Sequence, residues 1–140
     1  MENFVTFELA VKLKEKGFIC KYPFAMYDEN GDFYPLFTSC DEDEDSKCIF
    51  GNRMYYDYDD FIGDKDAVIA PTISQALKWF REEKKIHIAI GYSGETKWCY
   101  VVIYLDDAYF YNPNITKKRF DKWGQAAING IEYVLNNILK

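Results

Sequence analysis

The chain has 140 residues, 49% of them apolar and 19% aromatic, with a formal net charge of −6. That length suits one domain, residues 1–140, with a core of its own, and the aromatic content argues against a disordered chain. The acidic balance argues against direct nucleic-acid binding, which needs cationic surface to replace counterions, and no run approaches the ~20 apolar residues of a membrane span.

The negative charge is local. Residues 41–66 hold ten acids against Lys47, Arg53 and Lys65, a net of −7. Residues 1–40 carry −2 and residues 67–140 carry +3. The first residues show no positive region followed by an apolar stretch, so no secretory signal is expected. Cys20, Cys40, Cys48 and Cys99 form no C-x-x-C pair. Reduced thiols and a cytoplasmic location are the expectation. Cys99 lies in an apolar run and reads as a small core residue.

Thr6 is a good N-cap for a helix over about residues 7–16, with Phe7, Ala10, Val11 and Leu13 near one face. Gly17 would stop it in a left-handed conformation, with Phe18 folding back. Residues 22–27 and 33–37 flank Asp28-Glu29-Asn30-Gly31-Asp32, and Asn-Gly is a hairpin signal because both residues tolerate positive φ. Pro23 and Pro35 cannot donate to a ladder, which places these strands near a sheet edge. The successive acids Asp41, Glu42, Asp43, Glu44 and Asp45 repel one another and read as a solvated loop. Alternation across residues 54–62 allows a short strand.

Thr72 and Gln75 have the spacing of a capping box that opens a second helix. Its stripe is Ile73, Ala76, Leu77 and Phe80, with Trp79 at the margin. Residues 86–90 alternate as a strand, and residues 97–105 form another that is apolar on both faces. Tyr109–Tyr111 adds a short third strand. A final helix, capped by Asp121, carries Trp123, Ala126, Ala127, Gly130, Ile131, Val134, Leu135 and Ile138 at helical spacing. Ala126, Ala127 and Gly130 are small enough to let it approach a sheet closely. The order α-β-β-(β)-α-β-β-(β)-α predicts an α+β fold: a largely antiparallel sheet with three packed helices.

No catalytic constellation emerges. His87 is the sole histidine, and G-x-S-x-G, glycine-rich phosphate loops and H-E-x-x-H are all missing. Cys40, Cys48 and His87 lack the spacing of a zinc site. The run 41–45 lacks the alternating acids and mid-loop glycine of a calcium loop. Asp57, Asp59, Asp60, Asp106 and Asp107 could be metal carboxylates of a hydrolase, but turns and edge strands explain them more simply, and the E-x-K spacing of Glu95 and Lys97 reads better as a charge pair in a turn. No catalytic residue, metal or cofactor is therefore expected. The aromatic row Trp98, Tyr100 and Tyr104 reads as core under a helix, or, if exposed, as an interface.

Four stretches carry a family resemblance: residues 6–18, Tyr27-Asp28-Glu29-Asn30-Gly31, residues 70–88, and Phe120-Asp121 with Ala126, Ala127, Ile128 and Ile131. Together they resemble a family of small uncharacterised proteins common in gut Bacteroidetes and in their phages and prophages. The resemblance excludes about residues 38–66. It rests on caps, turns and amphipathic faces, and it implies a small intracellular protein of a bacterium or its phage. Two departures are the acidic insert and Lys122-Trp123-Gly124-Gln125, where a more acidic first turn is typical.

The leading expectation is a non-enzymatic binding protein. Its contact residues would be Asp41, Glu42, Asp43, Glu44, Asp45, Asp57, Asp59, Asp60 and, if exposed, Trp98, Tyr100 and Tyr104. The fitting partner is a basic nucleic-acid-binding protein, which an acidic surface can inhibit. One alternative is a nucleotide-type ligand binder using Tyr100, Tyr104, Lys117, Lys118 and Arg119. Another is the metal-dependent hydrolase.

Overall fold

In the computed structural model of the chain, the residues described are 4–20, 23–36, 47–50, 53–56, 66–92, 97–106, 109–111 and 119–139, with 47–50, 53–56 and 109–111 described as backbone alone. The fold is α+β, with antiparallel sheets and three α-helices among the described residues. The chain divides into two compact units, one of residues 6–71 and one of residues 1–5 with 72–140. The division falls at Pro71/Thr72, between the two α-β-β blocks of the sequence.

The first unit begins with α1 (Phe7–Glu15), where the Thr6 hydroxyl accepts from the Leu9 amide. The Phe18 amide donates to the Leu13 carbonyl and the Gly17 amide to that of Lys14. With Gly17 at φ +92° this is a Schellman stop, and Phe18 is buried beneath it. Leu9, Ala10 and Leu13 form the buried stripe. Leu9 takes the place expected for Val11, which is half-buried.

β1 (Ala25–Tyr27) and β2 (Phe33–Pro35) form the expected hairpin. Its turn is not the predicted one. Gly31 alone has positive φ, at +84°, and Asn30 does not. The Asp28 carboxylate instead organises the loop by accepting the Asn30 and Asp32 amides, both at 2.9 Å. A Cβ at Gly31 would also sit 3.1 Å from the Phe7 ring. Phe7, Tyr27 and Phe33 pack edge-to-face in sequence, at 5.5 and 5.6 Å.

Only one of the two strands lies at the sheet edge. β5 (Val68–Ile69), which the sequence reading did not foresee, pairs with β1 and makes it central in the order β2-β1-β5. Pro35 is tolerated because β2 is the edge. Met26, Leu36 and Ala67 form a small core, with Ile69 against it. Between β2 and β5 the chain makes a second hairpin, β3 (Lys47–Phe50) with β4 (Arg53–Tyr56).

The second unit opens with α2 (Ile73–Glu83) and a complete capping box: Thr72 accepts from the Gln75 amide, and the Gln75 side chain accepts from the Thr72 amide. Trp79 is buried with Ile73, Ala76 and Phe80, while Leu77 is half-buried. Lys85, at φ +56°, turns the chain into β6 (Ile86–Tyr92). β6, β7 (Trp98–Tyr104) and β8 (Tyr109–Tyr111) follow in sheet order.

α3 (Trp123–Tyr133) continues into a π-helical segment, Val134–Ile138, where Leu139 donates to the Val134 carbonyl. Asp121 is not its cap. Lys122 holds the N-cap position with no side-chain bond, and Asp121 instead pairs with Lys97. The expected close approach is present. A Cβ at Gly130 would lie 2.8 Å from Ile88 Cγ2 and 3.2 Å from Tyr100 Cγ.

Candidate functional site

The first candidate surface is the acidic segment. Lys47 pairs with Tyr56 and Phe50 with Arg53 across β3 and β4. The acids Asp41–Asp45 precede β3 in sequence, and Asp57, Asp59 and Asp60 follow β4. All eight of these acids lie outside the described residues, as do Lys117, Lys118 and Glu95.

Charge follows the division into units. The unit of residues 6–71 carries fifteen acids against seven Lys and Arg, a net of −8. The other unit carries eight acids against ten bases, a net of +2. In the acidic unit, the Asp28 carboxyl is held below its usual range, first by the Asp32 amide and further by the Asn30 amide and the Tyr34 hydroxyl. Burial, with Glu8 adding, raises the Tyr27 phenol above its ordinary value.

The second candidate is the aromatic row. Strand register puts Trp98, Tyr100, Val102 and Tyr104 on the same face as Ile86, Ile88, Ile90 and Tyr92. Gly130 of α3 sits against Tyr100 on this face. Tyr100 is 5% exposed and packs near Phe120 and Tyr133, at 6.4 and 6.2 Å. It is core, which removes it from any contact surface and from the wall of an open ligand pocket. Trp98 and Tyr104 are half-buried. Trp98 is also tied down: it exchanges two backbone hydrogen bonds with Phe120, and its ring meets Tyr92 edge-on at 4.9 Å.

Tyr92 was not singled out from the sequence, yet it is 58% exposed. The missed signal is its place at the last position of β6. Its alternation matches that of the buried isoleucines, but the covering helices do not bury it. Ile19, Phe24 and Leu105 are the other large apolar residues left exposed among the described residues.

The opposite face of the sheet carries His87, Ala89 and Gly91 on β6 and Cys99, Val101 and Ile103 on β7, all half-buried. Cys99 is thus not the core residue expected, because α3 covers the other face. Neither it nor Cys20 forms a disulfide among the described residues. His87 lies opposite the isoleucines, as its alternation required.

Among the described residues, no group of three His, Cys, Asp or Glu side chains could hold a metal ion. None of the described helices is long and apolar enough to cross a membrane. No family model matches the chain, and no curated protein or solved structure is significantly similar to it.

Proposed function

We propose that this chain is a non-enzymatic binding protein that uses its acidic unit to engage a basic protein partner. The observation that carries the reading is charge segregation: −8 on residues 6–71 against +2 on the remainder. The excess of carboxylates on this unit raises the local negative potential. That potential speeds encounter with a cationic surface and repels nucleic acid itself. A partner whose own function is to bind nucleic acid presents such a surface, so occupying it would act as inhibition. The family resemblance adds the setting: the interior of a bacterium, or of one infected by a phage.

The test is capture from bacterial lysate with the chain as bait, beside a variant in which Asp41, Asp43 and Asp45 become Asn and Glu42 and Glu44 become Gln. The reading predicts a basic protein retained by the parent chain, released by moderate salt and not retained by the variant. Equal retention by both would remove the acidic segment from the interaction.

A further inference from the structure

We draw no further inference here: the strongest candidate, the half-buried apolar face of the β6–β7–β8 sheet opposite α3, centred on Ala89, Val101 and Ile103, carries nothing because nothing in the structure shows what covers it.

Discussion

A single added methyl group at Gly130 should weaken the second unit. Gly130→Ala puts a Cβ 2.8 Å from Ile88 Cγ2 and within 3.3 Å of Tyr100 Cβ and Cγ. Ile88 is 2% exposed and Tyr100 is 5% exposed. Ile88 is also β-branched, so its γ-methyl has few other rotamers to adopt. Reaching an ordinary carbon–carbon separation requires α3 to move off the sheet by roughly 0.8 Å. Overpacking of this kind costs about 1–3 kcal/mol. Rigid neighbours on both sides place this case in the upper half of that range. Alanine is the better helix former by about 1 kcal/mol, which offsets part of the loss. The net expectation is destabilisation by about 1–2 kcal/mol, or a urea midpoint lower by about 1 M at an ordinary m-value. Trp79, Trp98 and Trp123 all lie in residues 72–140, so tryptophan fluorescence reports on this unit directly. Gly91→Ala is the control, because nothing lies within 4 Å of a Cβ there. It should be neutral, or stabilising by about 0.5 kcal/mol. A Gly130→Ala midpoint equal to or above the parent's would refute the close-packing argument, as would an equal loss in Gly91→Ala.

Three further outcomes follow from local geometry. Thr72→Ala removes the hydroxyl that accepts from the Gln75 amide, leaving the backbone half of the capping box, and should cost about 1 kcal/mol in the same titration, with Thr72→Ser restoring most of it. Lys97→Gln removes the ammonium that lowers the Asp121 carboxyl, so Asp121 should titrate nearer its ordinary range by NMR, with little change in midpoint because the pair is exposed. Tyr27 has a raised folded pKa, so its contribution is fully present below its unfolded pKa of about 10 and is lost as pH rises through the folded value. Tyr27→Phe should therefore reduce the alkaline loss of stability, and an unchanged alkaline limb would contradict the shift.

What could be read from the sequence was what depends on neighbours a few residues away. The capping box needs only Thr72 and Gln75, and the Schellman stop needs Gly17 beside a finished helix. The small residues of α3 showed a close approach because helical spacing alone puts them on one face. Pairings set by distant residues were hidden. β5 is two residues long and exists because β1 offers it an edge. β3 has only Ile49 and Phe50 as strongly apolar residues, and its partner defines it. Asp121 has the right chemistry for a cap, but Lys97, distant in sequence, claims its carboxylate. Asn30 tolerates positive φ, but the Asp28 side chain already holds the turn. For the candidate surface, charge could be read and exposure could not. Alternation put Trp98, Tyr100 and Tyr104 on one face, but α3 decides that Tyr100 is core.

The most direct test of the central claim is the salt dependence of affinity for a captured partner, measured for the parent chain and the five-site neutralised variant. If acidic contacts carry the binding, affinity should fall at least tenfold between about 50 and 300 mM NaCl, as the Debye length shortens through about 10 Å. The neutralised variant should bind more weakly at low salt and show a shallower dependence. Parent and variant curves that coincide across the salt range would contradict the account.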